Sequence, residues 1–361
     1  MNAKEKRGIA KAVQAAEEVE RAQKEWYSLR RILGNSNWAI FYILLGGRET
    51  GKSYSITEFF VKKWKQKKIP FIWIRLNEAS MKKMLVNNAE KLVDPDLYRK
   101  YNLNLTVKGN TVYDNGEKMA TVLALSTFAN DKGVAMFDKD FLDDINMAYH
   151  ICLDEFQLEK TQRSQGDIAY QFVQQMENLV RSTKERIKIF LVGNTLEEAS
   201  DVLKLFNYIP ENFGIYKVKK KRAVIDYMCP SEAYKRRRRG SVADILMGDV
   251  SNFTNKIDFD RTLVFKGKLL KPQSVIHFGK EGNKKFTLWS AVGGKNVICE
   301  YKNEKLKNNI SMRPYLDLVY NNEIKDGVIQ MFDQRAYLYR NLITHKKFQS
   351  EIEQIKPRKN G

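Results

Sequence analysis

The stretch Tyr42–Phe60 reads YILLGGRETGKSYSITEFF. It places an apolar run before a glycine-rich turn, and the turn leads into a segment with the composition of a helix. The turn fits the phosphate-loop pattern G-x-x-x-x-G-K-[ST] without a gap, between the strand and the helix that the pattern requires. It predicts that backbone N–H groups cradle the phosphates of ATP, that the lysine reaches the β- and γ-phosphates, and that the serine hydroxyl coordinates Mg²⁺. The residues are Gly46, Gly47, Arg48, Glu49, Thr50, Gly51, Lys52 and Ser53.

The chain is strongly basic, with 361 residues and a formal net charge of +20. This excess favours a polyanionic partner such as nucleic acid, although a basic protein without a specific anion stays open. Three well-separated cysteines and no CxxC pair argue against a zinc site and against a disulfide framework. No apolar run approaches the roughly 20 residues that a membrane helix needs, so we expect no membrane partner.

Four apolar runs alternate with helical segments in the first half of the chain: WAIFYILL, PFIWIRL, YHICLDEF and RIKIFLVGNT. Such runs are typical of strands covered on both faces of a parallel sheet, which predicts a doubly wound α/β domain. Asn115-Gly116 lies between alternating segments and predicts a small antiparallel insertion. We expect an N-terminal helix at 1–35, the α/β domain at 36–205, a basic linker or lid at 206–245 and a smaller α+β domain at 246–361.

Two carboxylates follow the run HICL, namely Asp154 and Glu155. Beside a phosphate loop, Asp154 is predicted to hold Mg²⁺ and Glu155 to polarise the attacking water. The alternative is a solvated pair of acids at a strand end. Asn194 ends the next buried run, where a polar sensor of the γ-phosphate or of the water is expected, or else a residue that caps the strand.

An arginine close to the γ-phosphate would neutralise charge that develops in the transition state. The candidates are Arg48, Arg163, Arg181 and Arg186. Arg181 ends the helical segment before the run RIKIFLVGN, and an arginine there would serve a neighbouring subunit of a ring. For each of them, a surface charge without a catalytic role is the alternative.

Four stretches together resemble the DNA-packaging ATPases of phi29-like small tailed phages, terminase-like members of the FtsK/HerA group of ring translocases. They are GGRETGKSYS, PFIWIRL with its arginine at position 75, HICLDEF, and ENLVRSTKERIKIFLVGNT. The resemblance covers about residues 36–200. It implies an ASCE-type P-loop core, Arg181 as the arginine that acts in trans and Asn194 as the sensor, while a one-residue gap keeps Arg186 open.

The resemblance further implies an ATP- and Mg²⁺-dependent motor that moves double-stranded DNA into a preformed capsid. The partners it implies are DNA, other copies of the chain in a ring (a pentamer), the capsid portal and a structural packaging RNA. The implied location is the host cytoplasm, with transient attachment to the prohead. Lys and Arg side chains would track DNA phosphates without reading bases, and the candidates are Lys82, Lys83, Lys217, Lys219, Lys220, Lys221 and Arg222.

The resemblance assigns an RNase H-like fold to the C-terminal domain. A two-metal nuclease needs three or four convergent carboxylates, and this region offers Asp258, Asp260 and Glu300. We therefore expect a degenerate domain without nuclease activity, with convergence of these three on a metal as the alternative. Two rival functions also stay open: another ring translocase or helicase, and a nucleic-acid-binding protein that uses nucleotide as a switch without turnover.

Overall fold

The computed structural model describes residues 26–34, 36–127, 149–156, 168–180, 187–194, 201–241, 245, 260–278, 284–301, 316–317 and 322–356. The chain divides into two compact units. The first comprises Met1–Phe206 and Asn212–Asp258, and the second comprises Asn207–Glu211 and Phe259–Gly361. Among the described helices, none is long and apolar enough to cross a membrane.

A nine-stranded sheet forms the centre of the first unit. Its strands lie in the order β3-β4-β5-β2-β6-β7-β1-β9-β8. Their bounds are β1 Phe41–Leu45, β2 Phe71–Arg75, β3 Leu105–Lys108, β4 Thr111–Asp114, β5 Glu117–Ala124, β6 His150–Asp154, β7 Lys188–Gly193, β8 Gly214–Val218 and β9 Ala223–Tyr227. The helices are α1 Arg30–Leu33, α2 Lys52–Lys67, α3 Glu78–Ala89, α4 Pro95–Tyr101, α5 Ile168–Val180, α6 Asp201–Leu205 and α7 Glu232–Arg238.

The strands β5, β2, β6, β7, β1 and β9 run parallel to one another. Four of the five residues of β1 and all five of β6 are buried, as expected for continuous apolar runs covered on both faces. Helix α2 packs on this sheet through Phe60, whose ring centroid lies 5.0 Å from that of Phe71 and 5.5 Å from that of Phe190. The predicted doubly wound α/β domain is confirmed.

The antiparallel segment predicted around Asn115-Gly116 is present as the meander β3-β4-β5. Asn115 and Gly116 have φ values of 52° and 84°, as a tight hairpin turn requires. The last strand of the meander, β5, pairs in parallel with β2. The meander therefore extends the central sheet and is not a separate insertion.

The prediction of a linker or lid over 206–245 is wrong for residues 214–227. Strand β9 pairs in parallel with β1, and β8 pairs with β9 in antiparallel fashion. All five residues of β9 are buried. Of the lysines that indicated a linker, Lys217 lies in β8, and Lys219–Lys221 form a single exposed 3₁₀ turn between these strands.

The N-terminal helix predicted for 1–35 lies mostly outside the described residues, which begin at Trp26. Residues 26–34, called the strap below, include α1 and are tied to the sheet by the buried Asp226 of β9. Tyr27 donates its hydroxyl to Asp226 Oδ2 at 3.0 Å, and Arg31 Nη1 lies 3.2 Å from Oδ1. The carboxylate is fully buried and therefore needs these partners.

The second unit is built on a five-stranded sheet of order β13-β10-β11-β12-β14, which confirms the predicted α+β class. Phe348 of its last helix is fully buried against Phe278 and Phe286, at centroid distances of 5.4 and 5.2 Å. The elements are β10 Leu269–Phe278, β11 Lys284–Ala291, β12 Lys295–Glu300, β13 Leu316–Asp317, β14 Tyr337–Tyr339, α8 Asn322–Asp333 and α9 Leu342–Ile355.

Candidate nucleotide site

The predicted phosphate loop lies between the carboxyl end of β1 and the first residue of α2. Gly51 adopts a φ of 84°, in the left-handed region that favours glycine. A Cβ on Gly51 would also lie 3.2 Å from Cε3 of Trp26. Glu49 has a φ of 59°, which is uncommon for a residue other than glycine. The loop conformation is therefore held by specific contacts.

Lys52 is buried, and its ammonium is enclosed by the loop itself. Nζ donates to the carbonyl oxygens of Gly46 and Gly47 at 2.9 and 2.5 Å, and to Thr50 Oγ1 at 3.2 Å. Burial lowers the pKa of this lysine to about 8, although the nearby carboxylates of Asp154 and Glu155 oppose the shift. A phosphate oxygen is a stronger acceptor than these groups, so the ammonium is placed to exchange them for an anion.

Asp154 ends β6 and faces the start of α2. The Ser53 hydroxyl donates to Asp154 Oδ1 at 3.2 Å. Burial raises the pKa of Asp154, whereas Arg75 favours its charged form. A buried carboxylate and a hydroxyl within hydrogen-bond distance are hard oxygen donors of the kind that Mg²⁺ prefers. The two predicted metal ligands therefore lie together, and they fit that ion.

Arg75, the last residue of β2, pairs with both carboxylates. Its Nη1 lies 2.7 Å from Asp154 Oδ2, and its Nη2 pairs with Glu155 Oε2. The Arg75 side chain is only 13% exposed. Its position follows from the sheet, because β2 and β6 are parallel neighbours and end at the same edge. In the sequence it appears only as the arginine before the last residue of PFIWIRL, without an assigned role.

Glu155 follows β6 with a φ of 56°, and its side chain is 52% exposed. Asn194 directly follows β7, the strand between β6 and β1, so its backbone lies at the same edge of the sheet. Next to it, Gly193 O accepts a hydrogen bond from Gly46 N of the loop at 3.2 Å. Arg163, Arg181 and Arg186 lie outside the described residues. The structure thus gathers Lys52, Ser53, Asp154 and Glu155 and places Asn194 at the same edge.

Two segments that the sequence did not connect with the site contact the loop from outside. In the strap, the backbone N–H of Tyr27 donates a hydrogen bond to Thr50 O at 2.9 Å. In helix α7, the Tyr234 hydroxyl donates a hydrogen bond to Arg48 O at 3.0 Å, and the Arg237 guanidinium donates one to Glu49 O. The run RRRRG therefore belongs partly to the loop's surroundings. No local sequence pattern reveals this contact, because 186 residues separate Tyr234 from Arg48.

The DNA-contact candidates fall into two separate groups, both exposed. Lys82 and Lys83 lie on α3, which follows the carboxyl end of β2. Lys82 also pairs with Glu78 at 2.7 Å. The other five candidates surround the turn before β9, at the amino edge of the parallel strands. The structure therefore does not bring the two groups together on one edge of the sheet.

Two of the three carboxylates considered for a nuclease site, Asp260 and Glu300, pair with cations. Asp260 Oδ2 lies 3.3 Å from Arg335 Nη1, and Glu300 Oε1 lies 2.9 Å from Lys347 Nζ. Asp258 lies outside the described residues. Within the described part of the chain, no group of three or more His, Cys, Asp or Glu side chains is placed to hold a metal ion.

The strand order places β7 between the phosphate-loop strand β1 and the carboxylate-bearing strand β6. With the loop at the end of β1, this arrangement defines an ASCE-type P-loop NTPase core, as predicted. Among solved structures, the gp11 DNA-packaging motor of Phi-28 aligns with 92% of this chain and 99% of its own, at 13% identity and a TM-score of 0.59. The genome-packaging motor assembly of bacteriophage phi29 aligns with 92% of this chain and 100% of its own, at 18% identity and a TM-score of 0.56.

The chain therefore has the fold of the phage DNA-packaging motor proteins, and the resemblance seen in the motifs is confirmed at the level of fold. The isolated N-terminal domain of the phi29 packaging ATPase aligns with 56% of this chain at 22% identity and a TM-score of 0.46. No family model and no curated protein matches the sequence.

Proposed function

We propose that this chain is the ATPase subunit of a motor that moves double-stranded DNA into a preformed phage capsid. One observation carries the proposal: Lys52, Ser53, Asp154 and Glu155 meet at the carboxyl edge of an ASCE-ordered sheet. The chain that contains this site aligns over nearly its whole length with packaging-motor structures. The excess of positive charge agrees with a polyanionic partner.

In this proposal ATP-Mg²⁺ binds at residues 46–53. The Lys52 ammonium leaves the carbonyls of Gly46 and Gly47 and neutralises the β- and γ-phosphates, while Ser53 and Asp154 hold the ion. Bound Mg²⁺ neutralises charge on the phosphates. Burial of Lys52 and Asp154 strengthens these interactions, because the local dielectric is low.

Glu155 orients and polarises the attacking water. In the described arrangement Arg75 pairs with Oε2 of this carboxylate, which leaves Oε1 to accept from the water. Arg75 keeps its bond to Asp154 at 2.7 Å through the same guanidinium. The arginine thereby holds the two carboxylates side by side.

The remaining roles follow the family resemblance. Subunits form a ring, a pentamer by that resemblance, in which Arg181 reaches the neighbouring subunit's site and Asn194 senses the γ-phosphate or the water. The ring acts in the host cytoplasm while attached to the capsid portal of the prohead, with a structural RNA as a further partner. Exposed lysines, including Lys82 and Lys217, track the DNA phosphates without reading sequence.

The experiment that tests the proposal is the steady-state ATPase rate with and without duplex DNA of several lengths and sequences. We expect stimulation by any duplex, and a loss of that stimulation as salt rises, because phosphate contacts release counterions. Lys52→Ala should abolish turnover, whereas Lys62→Ala, an exposed lysine on the same helix, should not. Glu155→Gln should keep ATP binding and lower kcat by about 100-fold or more.

Each other outcome favours a different function. Stimulation by single strands alone, with strand separation, would favour a helicase. Nucleotide binding without turnover, on DNA or on proheads, would favour a nucleotide switch. Wild-type turnover in Lys52→Ala would contradict the assignment of the phosphate loop.

A further inference from the structure

The phosphate loop contains an acidic residue, Glu49, two positions before Gly51. A carboxylate here opposes the binding of a polyphosphate, because like charges separated by about 10 Å or less repel one another. The Glu49 side chain is 62% exposed, and its backbone is fixed in the left-handed region. The loop therefore needs a compensating cation if it is to take a highly charged nucleotide.

Helix α7 supplies that cation. Arg238 Nη1 lies 2.5 Å from Glu49 Oε2, and the Arg238 side chain is only 15% exposed. The helix is anchored next to the loop, because Tyr234 is buried and the Ser231 side chain caps the helix by accepting from Tyr234 N at 3.0 Å. The ion pair is therefore held by a packed helix and not by two freely moving side chains.

The same helix fixes the direction of two peptide groups in the loop. Tyr234 holds the carbonyl of Arg48 at 3.0 Å, and Arg237 holds the carbonyl of Glu49. In a trans peptide the following N–H points opposite to the carbonyl. The N–H groups of Glu49 and Thr50 therefore point away from α7. Arg237 is itself held, since its guanidinium lies 4.0 Å from the centroid of the Trp26 ring in the strap.

We propose that Arg238 is a positioning residue that neutralises Glu49, so that the loop does not disfavour the more highly charged nucleotide. Helix α7 thereby forms part of the phosphate site in cis. This inference rests on the proposed function, because its ligand is a nucleoside polyphosphate. The repulsion that Arg238 cancels grows with the number of phosphate charges. Loss of Arg238 therefore weakens the binding of ATP more than that of ADP, and the binding of ADP more than that of adenosine.

The test is equilibrium binding of ATP, ADP and adenosine to the full chain, with Mg²⁺ present and DNA absent. In Arg238→Ala we expect the Kd for ATP to rise about fivefold to tenfold and the Kd for ADP to rise less. The increase should shrink as salt rises from about 0.05 M to about 0.5 M, because screening weakens the repulsion. Arg236→Ala is the matched control, since it removes an equal charge from an exposed position two residues away.

The decisive variant is the double substitution Glu49→Gln with Arg238→Ala. If Arg238 acts by neutralising Glu49, the double variant recovers the wild-type Kd for ATP and the wild-type ratio of ATP to ADP affinity. If the role of Arg238 is purely structural, Arg238→Ala loses equal affinity for ATP and ADP, and Glu49→Gln does not restore that affinity. This result would overturn the inference. The same holds if Arg238→Ala binds as Arg236→Ala does.

The two proposals fail in different ways. If wild-type protein binds ATP and Arg238→Ala is unaffected, only the role of Arg238 is lost. If wild-type protein binds no nucleotide, the assignment of the phosphate loop is lost and the role of Arg238 with it. The thermal midpoint of each variant, measured without nucleotide, shows that any change in Kd does not come from unfolding.

Discussion

Replacement of Arg75 by alanine is expected to destabilise the first unit at neutral pH through a single buried charge. The substitution removes the cation 2.7 Å from Asp154, whose side chain is 6% exposed. Removing one partner of a buried ion pair typically costs about 3–5 kcal/mol, because the other charge stays buried without compensation. The Ser53 hydroxyl remains bonded to Asp154, so we expect a loss at the lower end, about 3 kcal/mol.

The pH dependence of this loss has a definite sign. Burial already raises the pKa of Asp154, and the loss of Arg75, which favours the charged form, raises it further. A carboxyl group with a raised pKa binds its proton more tightly in the folded state. The penalty in Arg75→Ala is therefore full above the folded pKa, shrinks as the pH falls below that pKa, and is gone below the pKa of the unfolded state.

The assay is urea unfolding of wild type and variants at pH 7 and at pH 5, in chelator and without nucleotide. Arg99→Ala is the control, because its pair with Asp96 is exposed and is expected to contribute less than about 1 kcal/mol. The double variant Arg75→Ala with Asp154→Asn should regain most of the lost stability. The reasoning is refuted if Arg75→Ala costs no more than Arg99→Ala, or if Asp154→Asn restores nothing.

Two further predictions concern the loop and the opposite edge of the sheet. Gly51→Ala should cost about 1–2 kcal/mol from its left-handed φ and should also lower ATP affinity, because its Cβ would meet Trp26 at 3.2 Å. In contrast, Gly109→Ala, with a φ of 60° and open space around its Cβ, should destabilise without changing the Kd for ATP. His150 is buried among aromatic rings, and burial lowers its pKa to about 3, so stability falls as the pH drops below 6.5, by about 2 kcal/mol at pH 5. His150→Gln should flatten that slope in pH-dependent unfolding, and an unchanged slope would assign the acid sensitivity to other groups.

Local patterns predicted the site wherever the chemistry lies within a few consecutive residues. The phosphate loop follows one buried strand, and Asp154 and Glu155 lie at the end of another. The sheet brings these ends together because its strands are parallel. Arg75 also ends such a strand. Its role depends on which strand lies beside β2, however, and that order is a property of the whole sheet.

The sequence does not mark the run AVIDY as a strand, because the run is short and follows a cluster of lysines. Only its pairing with β1 buries it, and 182 residues separate Phe41 from its partner Ala223. Asp226 inside this strand would argue against a central position on composition alone. The structure resolves the conflict by pairing the carboxylate with Arg31 and Tyr27 of the strap. A buried charge therefore indicates a partner segment distant in sequence.

This pairing connects the strap with the chemistry of the loop. Asp226 anchors Tyr27, Tyr27 N donates to Thr50 O, and the Ser55 hydroxyl of α2 donates to Tyr27 O at 2.6 Å. On the other side of the loop, α7 follows β9 directly in the chain and holds the carbonyls of Arg48 and Glu49. The strap, which contacts β9, and α7, which follows β9 in the chain, thus both fix the loop from outside. Because a phosphate loop binds its anion through backbone N–H groups of fixed direction, a movement of either segment is expected to change phosphate affinity without touching Lys52, Ser53 or Asp154.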